Sequence, residues 1–152
     1  MDNISLKFNS KLQNLNNGDV SKLNSDKKLK ELKDIFRSES YEGVVVFGDI
    51  DSALAGAVAA KDLGLKLFHV EAGLRSDDKR MPEEKNRIVI DHLADVLFTT
   101  EQSGNDNLET EGVDKAKVHF VGNIMIESIE LFKHLADDSQ VLTQLNLTPK
   151  TY

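Results

Sequence analysis

The strongest constraint on this chain is a repeated exchange of two hydrophobic periods. Short apolar runs at Val44–Phe47, Leu65–Val70, Val96–Thr100 and Val118–Val121 have the length and residue content of strands. Helical patterns fill the intervals. Ser52 stands where it can cap an Ala-rich helix over Ala53–Leu63, and Gly64 suits the residue just past its end. Pro82 fits the first position of a helix running to about Leu93, where its missing N–H is no loss. Ser103 can cap a short helix that Gly112 ends, and Met125–Leu135 follows the fourth run. Ahead of the first run, Leu29, Leu32 and Phe36 predict an amphipathic helix over Lys27–Ser38. Strand, helix and strand in this order make right-handed βαβ units. The predicted fold class is α/β, a partial Rossmann-like parallel sheet with helices on both faces.

Val44–Phe47 is apolar at every position, the composition of a strand buried on both faces, yet no comparable strand precedes it. Its neighbour is expected from another molecule, or the chain is expected to be a piece of something larger. Residues 1–26, rich in Asn, Ser, Lys and Asp, read as a weakly ordered arm. Residues 27–135 read as a Rossmann-like half-domain and 136–152 as a polar C-terminal segment.

Composition narrows the functional classes. The 152 residues carry 26 acidic against 19 basic side chains, a net charge of −7, which argues against a broad nucleic-acid footprint. There is no cysteine, so disulfides and thiolate metal sites are excluded. No apolar run approaches the ~20 residues of a membrane span, and the start lacks the apolar core of a signal peptide. The expectation is a soluble, cytoplasmic protein.

Open α/β sheets bind ligands at the carboxyl ends of their strands. The first run ends in Gly48-Asp49, the second in Glu71-Ala72-Gly73, and Glu83-Glu84 follows Pro82. With Arg75, Arg80 and Arg87 nearby, these carboxylates suit proton chemistry on a polar or anionic substrate. Each position also has a plainer reading. Asp49 can simply terminate a strand, and Glu83 and Glu84 both complement the helix dipole. Arg75 and Arg80 read as ordinary solvated charges, and His69 as a core histidine ahead of a catalytic one. Glu71 resists such a reading, because a half-buried carboxylate is costly unless paired. Asn123 divides evenly between lining a cleft and making a turn.

Longer strings join these positions. V-V-V-F-G-D-I-D-S-A-L-A begins at Val44 and H-V-E-A-G-L-R-S spans His69–Ser76. R-M-P-E-E-K-N-R spans Arg80–Arg87, D-H-L-A-D-V-L-F spans Asp91–Phe98, and V-G-N-I-M-I spans Val121–Ile126. In this order and spacing they resemble the non-hydrolysing UDP-N-acetylglucosamine 2-epimerases, which have hydrolysing relatives. The resemblance runs from about Leu29 to Leu135. It implies the later part of the first of two Rossmann-like domains, which face each other across a cleft in the GT-B arrangement. The family's opening strands, with a Gly-Thr-Arg-Pro-Glu loop, have no counterpart in the chain. Nor has its second domain, with a catalytic histidine and most of the nucleotide-diphosphate site. A strand from the absent opening would lie beside Val44–Phe47.

The resemblance also implies a reaction without cofactor or metal. In it, C2 of the sugar in UDP-N-acetylglucosamine is deprotonated while UDP leaves, and UDP adds back to the glycal to give the manno epimer. Asp49, Glu71 and Glu83 match the family's acid/base or sugar-orienting carboxylates, and Arg87 and Asn123 are the implied substrate contacts. Ala53 stands where a hydroxyl residue is common and Glu127 where Asp is usual, and neither change removes a proposed carboxylate. The implied partners are UDP-N-acetylglucosamine and a second copy or a chain supplying the missing domain, with no nucleic acid and no membrane. Alone, the chain is expected to be inactive.

Two rivals accompany this reading. V-V-V-F-G-D-I-D-S also fits a Mg²⁺-dependent phosphotransferase of the haloacid-dehalogenase type, with Asp49 as nucleophile and Asp51 as acid/base. There the first Asp follows the strand without an intervening Gly48, and the acidic pair Asp137-Asp138 follows a helix rather than a strand. The other rival is a non-catalytic remnant or partner module.

Overall fold

A computed structural model describes residues 26–147 of the chain, apart from Lys79. The arm expected over residues 1–26 therefore falls almost wholly outside the described residues. The elements are α1 (Asp26–Ser38), β1 (Gly43–Phe47), α2 (Asp51–Asp62), β2 (Lys66–Ala72), α3 (Pro82–Leu93) and β3 (Val96–Thr99). They continue with α4 (Gln102–Thr110), a 3-10 turn (Lys115–Lys117), β4 (Val118–Phe120), α5 (Ile124–Asp137) and α6 (Val141–Gln144). The chain divides into two compact units after Gly122. Among the described residues, no helix is long and apolar enough to cross a membrane.

The first unit is built on four parallel strands in the order β1-β2-β3-β4. Register pairs Val44 with Leu67, Val46 with His69, and His69 with Leu97, so these side chains share one face. That face is buried, and α2, α3 and α4 pack on it. Each crossover steps one strand further in the same direction, and right-handed crossovers of that kind deliver their helices to the same side. Ala53, Ala55, Ala57, Ala59 and Ala60 are all buried and let α2 approach the sheet closely, while α1 lies against α2 through Leu32 and Phe36.

The parallel α/β sheet is the one the sequence predicts, and its other face is the open one among the described residues. Val45 is 41% and Phe47 48% exposed, next to half-buried Phe68, Val70 and Phe98. Because that face is uncovered, the continuous apolar run at Val44–Phe47 is buried only at alternate positions, and β1 is an edge strand among the described residues.

Local signals hold at helix ends more than at helix starts. Pro82 opens α3, and Gly64 and Gly112 lie just past α2 and α4 with φ of 70° and 77°. The expected caps differ. α2 begins at Asp51 behind Ile50 and α4 at Gln102 behind Glu101, with no side-chain cap bond at either. Ser52 and Ser103 therefore lie inside the first turns. In the second unit Asn123 caps α5, its Oδ1 accepting from the Met125 N–H at 2.9 Å.

Candidate functional site

The carboxyl end of β1 turns at Gly48, whose φ of 64° suits a residue without Cβ. The Gly48 N–H donates to the Val70 carbonyl at 3.1 Å, joining this turn to β2. Asp49 follows, half-buried, and its carboxylate pairs with the Arg87 guanidinium from α3. Asn86, one residue earlier on α3, donates through Nδ2 to the Asp49 carbonyl and to Asp51 Oδ1, both at 2.9 Å. The β1–α2 turn is thus held from α3 by two adjacent side chains.

β2 ends irregularly. Its register with β3 shifts between Val70 and Ala72, and Glu71 sits in the shift with φ 69°. A non-glycine residue in the left-handed region is strained by ~1–3 kcal/mol, so the surrounding structure must impose it. The conformation brings the side chain toward the β1 turn, where a methyl group on Gly48 would lie 3.6 Å from Glu71 Oε2. Among the described residues, the Glu71 side chain is half-buried and has no hydrogen-bond or ion-pair partner.

The first turn of α3 separates its two glutamates. Glu83 is exposed, with no such side-chain partner among the described residues. Glu84 is 2% exposed and accepts from the Ser76 N–H (3.0 Å), the Asp77 N–H (3.2 Å) and Arg87 Nη1 (2.7 Å). Burial works against the Glu84 charge, but the Ser76 and Asp77 donors and Arg87 outweigh it and hold the carboxyl below its ordinary range. Glu84, Arg87 and Asp91 fall three and four residues apart, on one stripe of the helix.

A buried polar group connects the strand ends. His69 contacts Asp91 Oδ1 through Nδ1 at 2.6 Å and the Gly48 carbonyl through Nε2 at 2.9 Å. Asp91 Oδ2 accepts from the Gly73 N–H (3.1 Å) and Arg75 Nη1 (2.8 Å). Arg75 also forks onto Glu111, with two bonds of 2.7 Å. Burial alone would lower the Arg75 pKa; Glu111 and Asp91 outweigh it and raise it. Arg75 therefore does not fit the solvated role its sequence context suggests, whereas Arg80 does, exposed and paired with Asp78. Gly73 lets the segment after β2 press onto α4, since a Cβ there would collide with the Gly104 backbone. Among the described residues, no group of three or more His, Asp or Glu side chains is arranged to hold a metal ion.

A family profile described as UDP-N-acetylglucosamine 2-epimerase matches residues 3–152. The chain belongs to the UDP-N-acetylglucosamine 2-epimerase family. It is 39% identical over 126 residues to a "UDP-N-acetylglucosamine 2-epimerase homolog" of Methanococcus maripaludis, covering 82% of this chain and 35% of that one. It is 44% identical over 110 residues to the UDP-2,3-diacetamido-2,3-dideoxy-D-glucuronate 2-epimerase of Pseudomonas aeruginosa, covering 71% and 31%. The structure of the Methanocaldococcus jannaschii UDP-GlcNAc 2-epimerase in complex with UDP-GlcNAc and UDP superposes with a TM-score of 0.71 at 36% identity. That match covers 77% of this chain and 32% of the other. The chain spans about a third of the length of the curated relatives it matches.

Membership of the epimerase family displaces the phosphotransferase reading. Of the residues singled out in the sequence, the fold brings Asp49, Glu71 and Arg87 together. Glu83 stands one helical turn before Arg87 on α3. Asn123 lies in the second unit, where its side chain caps α5. The sequence reading missed the jobs of Glu84, Asn86, Asp91 and Arg75. The stripe Glu84, Arg87, Asp91 was its one available signal, a run of charges on a helix packed against a sheet.

Proposed function

We propose that this chain supplies the proton-transfer side of an enzyme that epimerises UDP-N-acetylglucosamine at C2. UDP leaves as the C2 proton is removed, and it adds back to the glycal to give UDP-N-acetylmannosamine. A C2 proton is weakly acidic, so a positioned carboxylate base and a second group for reprotonation are both required. Asp49, Glu71 and Glu83 are assigned these acid/base and sugar-orienting roles. Arg87, held between Asp49 and Glu84, and Asn123 are assigned substrate contacts. The observation that carries the reading is Glu71, a half-buried carboxylate in a strained conformation with no side-chain partner among the described residues, turned toward the turn that presents Asp49. Strain of this kind concentrates where function requires it. The UDP-GlcNAc and UDP bound by the M. jannaschii enzyme support the substrate class. The remaining groups come from sequence beyond these 152 residues or from a partner chain.

The Pseudomonas relative supports a second reading of the sugar alone, a 2,3-diacetamido glucuronate in place of N-acetylglucosamine. Both are tested by following solvent deuterium into C2 with a catalytic unit that contains this segment and the rest of the cleft. Deuterium in UDP-N-acetylglucosamine, lost on Glu71→Gln, is expected. Exchange only in the diacetamido sugar would transfer the assignment to that substrate, and exchange in neither would defeat it.

A further inference from the structure

We infer that His69 is a positioning residue: its ring fixes the peptide between Gly48 and Asp49 and so sets where the Asp49 carboxylate is presented. The inference rests on the acid/base reading of Asp49. His69 is fully buried in β2, two residues before Glu71. Its Nε2 lies 2.9 Å from the Gly48 carbonyl oxygen and its Nδ1 lies 2.6 Å from Asp91 Oδ1. The Gly48 carbonyl oxygen can only accept, so that contact requires a hydrogen on Nε2.

Peptide planarity supplies the consequence. The Gly48 carbonyl and the Asp49 N–H belong to one rigid plane, so a donor on that oxygen restrains the backbone entering Asp49. The restraint matters because Gly48 has no side chain to limit its own rotation. On its other side Gly48 is tied to Val70, the residue before Glu71, and on the far side of Asp49 its carbonyl is tied to Asn86. Asp91 extends the same fixture. One of its oxygens takes His69, and the other takes the Gly73 N–H and Arg75. One ring and one carboxylate thus join the turn after β1, the segment after β2 and helix α3. The charged groups around the ring are Asp91 from α3 and, beyond it, Arg75 from the segment after β2 with its partner Glu111 at the end of α4. Any buried imidazole needs a partner for its N–H, and here that partner is the carbonyl of the peptide that enters Asp49.

The test uses the full 152-residue chain labelled uniformly with ¹³C and ¹⁵N and needs no nucleotide sugar, so its failure is separable from failure of the proposed activity. NMR is expected to find a slowly exchanging proton on His69 Nε2, with coupling across the hydrogen bond to the Gly48 carbonyl carbon. An unprotonated Nε2 would overturn the inference, whatever the variants do. Two variants sharpen it. His69→Phe keeps the buried bulk and has no donor, while His69→Gln can place an amide donor near the position of Nε2. The Asp49 amide resonance should shift in His69→Phe and return toward wild type in His69→Gln, with the Leu108 amide unmoved in both. An unmoved Asp49 amide in folded His69→Phe would equally overturn it. In a catalytic unit the Phe variant should lose turnover by roughly 10²-fold with KM held, the cost of a small misplacement of a reacting group.

Discussion

The inner layer of the site and its rim treat carboxylates in opposite ways. In the layer every acid is saturated: Asp91 serves His69, Arg75 and the Gly73 amide, and Glu84 serves two amides and Arg87. At the rim, Asp49 has one guanidinium, and Glu71 and Glu83 have no side-chain partner among the described residues. Buried charge persists only where it is paired and hydrogen-bonded, so the layer is an answer to desolvation. A carboxylate that must take and return a proton needs the reverse, a lone pair left open. The adjacent glutamates of α3 show the division most sharply, one turned into each region.

Removing a saturated carboxylate should have the largest effect. Asp91→Ala leaves the Gly73 amide without its acceptor and takes one partner each from His69 and the buried Arg75, and should lower the unfolding free energy by about 3–5 kcal/mol in denaturant titration. A loss below 1 kcal/mol would mean the layer is not what holds the strand ends. Next come the rim carboxylates. In a complete catalytic unit, Asp49→Asn, Glu71→Gln and Glu83→Gln should each reduce C2 exchange by roughly 10²-fold or more while leaving thermal unfolding nearly unchanged. Comparable losses of stability in all three would erase the distinction between rim and layer.

Glu84→Gln should be intermediate and of the layer type. It replaces an acceptor of two backbone amides with a group that is neutral and half donor, for a loss of about 1–3 kcal/mol. The pH dependence has a definite sign. The Glu84 carboxyl is held below its ordinary value of 4.5. Asp95 is held below 3.8, where Lys61 and the Leu67 amide outweigh burial. Groups depressed in the folded state contribute fully above those ordinary values, and the contribution is lost as pH falls through the folded values. Stability should therefore drop in acid below about 4.5, and less steeply in Glu84→Gln, with Asp95 still contributing. An unchanged slope would remove Glu84 from the layer.

A smaller effect of opposite sign is expected at Glu71. Glu71→Gly relieves the left-handed strain, partly offset by the added chain entropy of glycine, and should raise stability by about 1 kcal/mol while abolishing exchange. Loss of stability there would show that the Glu71 side chain belongs with the layer. The smallest effect concerns the open face of the sheet, outside both regions. Val45→Lys should reduce self-association of the 152-residue chain by light scattering, since a charge beside an apolar edge opposes strand addition. A wild-type chain that is already monomeric would show that the β1 edge is covered.

Much of this molecule is written in short-range pattern. Strand ends, helix ends and the carboxylates beside them recur every few residues, because alternation, proline and glycine act on their immediate neighbours. The places of Asp49, Glu71 and Glu83 at strand and helix ends were therefore legible, as was the family, whose strings are local too. The tertiary structure alone decided the rest. Glu83 and Glu84 are indistinguishable by helix dipole, and only the packing of α3 turned one of them onto the Ser76 and Asp77 amides. Arg75 looked like a surface charge because its partner Glu111 is 36 residues away. His69 was readable as a core histidine but not as a ring shared between Gly48 and Asp91, 21 and 22 residues from it in opposite directions along the chain. Burial makes a polar side chain find partners, and which partners it finds depends on the strands and helices that the fold has set side by side.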